Sequence, residues 1–107
     1  MKIYISGRIT GLNQHVAFGL FDQAEKFLAA AGHTPINPMR LEHKHTGTWE
    51  EFMIEDIKAL LTCEGIFMLP NWGQSAGARI EYTIAREREM KVMFQEFPGS
   101  VSVIEQK

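Results

Sequence analysis

The chain reads as a three-layer α/β/α domain: a flavodoxin-like or Rossmann-like parallel sheet of four to five strands in the order 2-1-3-4(-5). Three observations predict it. Short apolar runs alternate with segments whose apolar residues recur at helical spacing. The connections between them are short, which favours parallel strands covered by helices on both faces. One run, Gly65-Ile66-Phe67-Met68-Leu69, is apolar throughout and bounded by turn residues, as a buried strand should be.

Lys2 to Ser6 forms the first strand, and Gly7-Arg8-Ile9-Thr10-Gly11 is a loop bracketed by glycines. Ala17, Leu20, Phe21, Ala24, Phe27, Leu28 and Ala31 then mark one helix face, with Gly32 as its stop. Thr34-Pro35-Ile36 is a short second strand ended by Asn37-Pro38, and Met39 to Gly47 is a polar connector. Thr48-Trp49-Glu50-Glu51 has the form of a capping box and opens a helix that turns Met53, Ile57, Leu60 and Leu61 inward. After the apolar strand, Pro70 to Gln74 reads as a loop and Ser75 as the N-cap of a third helix. Lys91 to Phe94 makes a fourth strand, and Val101 to Ile104 a fifth.

Composition narrows the function classes. At 107 residues the chain is expected to form a single domain, 1–107, with one core. Hydrophobic content of 45%, charged content of 22% and a net charge of −2 fit a globular protein without a broad nucleic-acid or anionic-membrane surface. Cys63 is the sole cysteine, so neither an internal disulfide nor a Cys-based zinc site is expected. His43 and His45 lack a third ligand and read as a solvated loop rather than a metal site. No signal peptide is read at the N-terminus, and no apolar run approaches the ~20 residues of a membrane span. A cytoplasmic location is the expectation.

The chemistry concentrates in Asn71-Trp72-Gly73-Gln74-Ser75-Ala76-Gly77-Ala78-Arg79-Ile80-Glu81. Glu81 falls about two turns into a helix that starts at the carboxyl end of a strand, where open α/β sheets bind ligands. It shares a stripe with Gly77, Ala78, Ile84 and Ala85, while Arg79, Arg86 and Glu87 lie elsewhere on the wheel. Asp56 sits similarly, on a stripe with Phe52, Ala59 and Cys63. Parallel connections bring the Gly7–Gly11 and Pro70–Gln74 loops to one edge of adjacent strands. One pocket should therefore hold Tyr4 or Ser6, Arg8, Asn71, Trp72, Ser75, Gly77 and Glu81, with Asp56 arriving from the preceding helix.

Tyr4-Ile-Ser-Gly7-Arg-Ile-Thr-Gly11, then Asp56 before a strand, then Ser75-x-Gly77-x-x-x-Glu81, resembles the nucleoside 2-deoxyribosyltransferase superfamily. Its 2'-deoxynucleoside 5'-phosphate N-hydrolase branch, and short phage and bacterial domains allied to it, match from Tyr4 to about Ala85. The resemblance implies an enzyme in which Glu81 attacks the anomeric carbon of a 2-deoxyribose and forms a glycosyl-enzyme intermediate. It implies that Tyr4 holds Glu81 and that Asp56 assists departure of the base. Gly7, Arg8, Ile9, Asn71, Trp72, Ser75 and Gly77 would then surround the substrate. Serine rather than aspartate at position 75, at a helix N-terminus, favours a nucleoside monophosphate over a nucleoside. No cofactor and no metal are implied. The partners are a small-molecule nucleotide or nucleoside and further copies of the chain, a homodimer or higher homo-oligomer, with no nucleic-acid polymer and no membrane.

Departures from the pattern keep alternatives open. Arg8 stands where the hydrolases have a small residue, Thr10 where an arginine is frequent, and the loop through Trp72 is one residue longer. In the family a neighbouring subunit completes the site from beyond the fourth strand; here Ser100 or Ser102 would have to do so. A nucleotide-sensing module without turnover, or an interaction domain with a vestigial pocket, are the competing readings. Glu81 as an ordinary helix glutamate paired with Arg79 or Arg88, and Asp56 as a surface residue, are their residue-level counterparts.

Overall fold

A computed structural model describes residues 1–41, 47–97 and 100–104; the connector histidines His43 and His45 lie outside that set. Five strands form one sheet in the order β2-β1-β3-β4-β5, where β1 is Lys2–Ser6, β2 Thr34–Ile36, β3 Gly65–Met68, β4 Lys91–Phe97 and β5 Ser100–Ile104. The first four are parallel, the flavodoxin-like order 2-1-3-4. β5 departs from the expectation of a parallel strand: it returns antiparallel on β4, Val92 opposite Ile104 and Phe94 opposite Ser102. Its connection explains this, because so few residues separate β4 from β5 that only a hairpin can join them.

Three helices cover the sheet: α1 (Gln14–Ala30), α2 (Trp49–Leu60) and α3 (Ala76–Glu87). The two-residue period of β1 divides its side chains between the layers. Ile3 and Ile5 join Phe21, Ala24 and Leu28 of α1 in one core cluster. Tyr4 lies on the other face, in the cluster of Leu60, Ala78, Ala85 and Met90. β3 is buried on both faces, which accounts for its unbroken apolar sequence.

The helix boundaries follow the caps. Asn13 accepts from the amides of His15 and Val16, and Thr48 and Glu51 complete both halves of the capping box at α2. Ser75 caps α3 by accepting from the amide of Ala78 at 3.1 Å. Two expectations along the helices fail at the turn ends. Phe27 and Leu61 are 40% and 47% exposed, because each flanks the buried stripe next to a fully buried neighbour, Leu28 and Leu60. The Asn37-Pro38 stop is also more ordered than a simple strand ending. Pro38–Arg40 forms a 3₁₀ turn, capped by the Asn37 side chain on the Met39 amide. A second 3₁₀ turn, Trp72–Gln74, occupies the loop after β3.

Candidate functional site

Glu81 projects from the buried stripe of α3 with Gly77, Ala78 and Ala85, and is itself 4% exposed. The strand period that separates Ile3 and Ile5 from Tyr4 puts Ser6 on the same face as Tyr4. Both hydroxyls reach the carboxylate. Tyr4 donates its phenol to Glu81 Oε2 at 2.7 Å, and Ser6 donates its Oγ–H to Oε1 at 2.7 Å. One helix and one neighbouring strand thus fix the carboxylate through both oxygens.

The electrostatics oppose ionisation. Burial pushes the Glu81 carboxyl up to about 7; the Ser6 and Tyr4 hydrogen bonds pull it down, and the charge of Asp56 adds to the rise. The same burial, followed by the negative charges of Glu81 and Asp56, holds the Tyr4 phenol well above its ordinary value. Tyr4 therefore remains a donor at neutral pH. A carboxyl poised near neutrality with two fixed donors can act as a nucleophile or exchange a proton.

Above this carboxylate opens a cavity of ≈ 560 Å³. Tyr4, Gly7, Ile9, Asp56, Ser75, Gly77 and Glu81 all line it, so four elements converge on one space. Asp56 is 9% exposed and arrives from the buried stripe of α2. Gly7 permits the closure of the floor, since a Cβ there would lie 2.6 Å from Leu69 Cδ1.

Three of the sequence-selected residues do not line this cavity. The Arg8 guanidinium folds back on its own loop, Nε donating to the Thr10 carbonyl at 3.2 Å and Nη2 to that of Gly11 at 3.4 Å. Asn71 ties the two loops together, its Oδ1 accepting from the Arg8 amide at 3.0 Å. Trp72 packs away from the cavity against Tyr82 and Phe94, with ring centroids 4.8 and 5.9 Å away.

Much of the remaining lining is apolar and largely escaped the sequence reading. Phe21, Pro38, Met39, Trp49, Phe52 and Met53 form it, with Gln14 and Thr10 as polar additions. A signal existed for part of it. Trp49, Phe52, Met53 and Asp56 recur at helical spacing, so the stripe that carries Asp56 inward also carries the two aromatic rings. Met39 and Phe21 come from segments remote in sequence and leave no comparable trace. Among the described residues no group of three or more His, Cys, Asp or Glu could hold a metal, and no helix is long and apolar enough to cross a membrane.

Comparison with known proteins adds two findings. The sequence profile of a family described as "Domain of unknown function (DUF4406)" matches residues 1–94. The solved structure of a 2-deoxyribosyltransferase from the psychrotolerant bacterium Bacillus psychrosaccharolyticus has the same fold. It superposes with a TM-score of 0.67, covers 88% of this chain and 71% of that one, and is 21% identical. No curated protein matches the sequence.

Proposed function

We propose that this chain, which belongs to the DUF4406 family, cleaves the N-glycosidic bond of a 2'-deoxynucleoside 5'-monophosphate through a covalent intermediate on Glu81. The observation that carries the reading is the buried carboxylate gripped at both oxygens by Tyr4 and Ser6 on the cavity floor. The shared fold with a 2-deoxyribosyltransferase supports it.

The chemistry follows from the layout. A Glu81 oxygen attacks the anomeric carbon as the bond to the base breaks, and the electron pair of that bond leaves on the base nitrogen. The transition state is oxocarbenium-like, and an adjacent fixed carboxylate stabilises it. The departing base takes up a proton, and Asp56, which also lines the cavity, is the group to assist. Water, or a second base, then displaces Glu81 from the anomeric carbon, giving hydrolysis or base exchange. The two donors on Glu81 hold its oxygens in line while leaving a lone pair on each for attack.

The cavity has two characters, and the substrate has two halves. The sugar must lie at the polar floor, because Glu81 is there. The flat, apolar base then faces Met39, Trp49 and Phe52. At the sugar end, Ser75 and Gly77 border the cavity at the first turn of α3, whose free amides and dipole favour an anion. That supports a 5'-phosphate. The assembly in this reading is a homodimer or higher homo-oligomer, which would narrow the open cavity.

Incubation with 2'-deoxynucleoside 5'-monophosphates, rapid acid quench and peptide mass spectrometry tests the intermediate. The expected result is a deoxyribose phosphate adduct on the peptide containing Glu81. An adduct on another residue, or base release with no adduct and full activity in Glu81→Ala, would reject it.

A nucleotide-sensing module is the second reading, since the same cavity could bind without turnover. Ligand-induced thermal stabilisation without base release would select it.

A further inference from the structure

The cavity wall formed by Pro38 and Met39 stands where the sheet gives it least support. β2 is three residues long and lies at the edge of the sheet, in register with β1. The chain leaves it through one 3₁₀ turn, closed by Arg40 N–H on the Asn37 carbonyl at 3.0 Å and Leu41 N–H on the Pro38 carbonyl at 3.3 Å. A single turn of this type has poor hydrogen-bond geometry and holds its shape weakly.

A side-chain bracket from α1 compensates. Glu25 Oε1 accepts from Arg40 Nε at 2.7 Å and from Asn37 Nδ2 at 3.2 Å, while Asp22 Oδ1 accepts from Arg40 Nη2 at 2.7 Å. Asn37, 4% exposed, accepts from the Met39 amide at 3.0 Å with its other side-chain atom. The Arg40 guanidinium also lies over the Phe18 ring, 5.3 Å from its centroid. Phe18, Asp22 and Glu25 share one face of α1, so both ends of the turn are fastened to a single rigid element.

Exposure decides what such a bracket can accomplish. The Arg40 side chain is 47% exposed, and exposed ion pairs add little to global stability. A planar guanidinium held along two edges instead fixes direction. We infer that Arg40, Glu25 and Asn37 form a positioning unit that sets Met39 against the substrate's base and thereby controls substrate affinity, an inference that rests on the reading of the cavity given above. None of the three lines the cavity, and none touches the reacting atoms.

Arg40→Gln tests the unit directly, with Glu25→Gln as an independent break and Arg40→Lys as the conservative variant. In Arg40→Gln, hydrogen exchange at the amides of Met39, Arg40 and Leu41 should accelerate about tenfold while the α1 amides keep their protection. With the four common 2'-deoxynucleoside 5'-monophosphates as probes, KM should rise about three- to tenfold at unchanged kcat and unchanged acid limb. Arg40→Lys should fall between, because it keeps the charge and loses the paired geometry. Wild-type KM in both breaking variants overturns the inference, whether or not exchange accelerates, and so does a loss confined to kcat. Should the wild type release no base, the reading of Glu81 fails separately; calorimetric dissociation constants for the same nucleotides then replace KM. A weakening of about three- to tenfold sustains the bracket, and equal or absent binding in wild type and variants rejects it.

Discussion

Burying Glu81 sets desolvation against two short hydrogen bonds, and desolvation wins: the carboxyl rises from 4.5 to about 7. The sign for stability follows. The native state holds a proton that the unfolded chain releases at lower pH, so the contribution is fully present below 4.5 and is lost as pH rises through about 7. Glu81→Gln removes this liability and should gain stability over wild type across that window, on the order of 3 kcal/mol at most. Denaturant unfolding of both proteins from pH 4 to 8 measures it; parallel curves would show that the carboxyl is not perturbed. The sign for activity is the opposite. A nucleophilic carboxylate must be ionised, so kcat/KM should fall below pH 7. Tyr4→Phe deletes a donor that favours the ionised form, so the acid limb should move to higher pH. Losing a hydrogen bond to a charged group should also cost about ten- to a hundredfold in rate. An unmoved limb in Tyr4→Phe would separate the tyrosine from Glu81.

At the scale of elements, α1 and α3 end by the same device with different residues. After α1, Gly32 at φ 89° lets its amide reach the Ala29 carbonyl while His33 N–H reaches Leu28. After α3, Glu89 N–H reaches Arg86 and Met90 N–H reaches Ala85, with Glu89 at φ 55°. A glutamate in the left-handed region carries a steric cost that glycine avoids. Glu89→Gly should therefore raise stability by about 1 kcal/mol, seen as a higher Tm at unchanged activity. An unchanged or lower Tm would mean that the cost is relieved elsewhere. The alternating Arg86-Glu87-Arg88-Glu89 run reads in the sequence as the exposed end of a helix, and α3 ends there; what was not legible is the left-handed residue, since Gly32 announces its turn and Glu89 does not. The start of α3 was legible, because a capping serine, then small residues, then Glu81 fix both the boundary and the inward face. The two loops were not. Arg8, Asn71 and Trp72 point by local hydrogen bonding and aromatic packing, which residue type does not encode.

For the molecule as a whole, alternation of strand and helix was enough to give the order 2-1-3-4, and with it the meeting of β1 and α3 that joins Tyr4, Ser6 and Glu81. The antiparallel return of β5 needed loop length as well as strand pattern. The apolar half of the cavity needed the packing of segments distant in sequence, which periodicity alone cannot supply. Trp49, which lines the cavity, remains 40% exposed, and Ile54 and Leu61 further along the α2 segment 55% and 47%, so the outer surface of this segment carries large apolar groups. A homodimer or larger assembly at micromolar concentration is the expected outcome in sedimentation velocity. A monomer with full activity would remove assembly from the account.

In the proposed reaction the carboxylate of Glu81 breaks an N-glycosidic bond. Chromatography of free base tests it most directly, from a panel of deoxynucleoside 5'-monophosphates, deoxynucleosides and ribonucleotides, with wild type and Glu81→Ala run side by side. Base should be released from the 2'-deoxy monophosphates, at a rate that falls about a thousandfold or more in the variant. Equal release by both proteins, or none from any compound by the wild type, would contradict it.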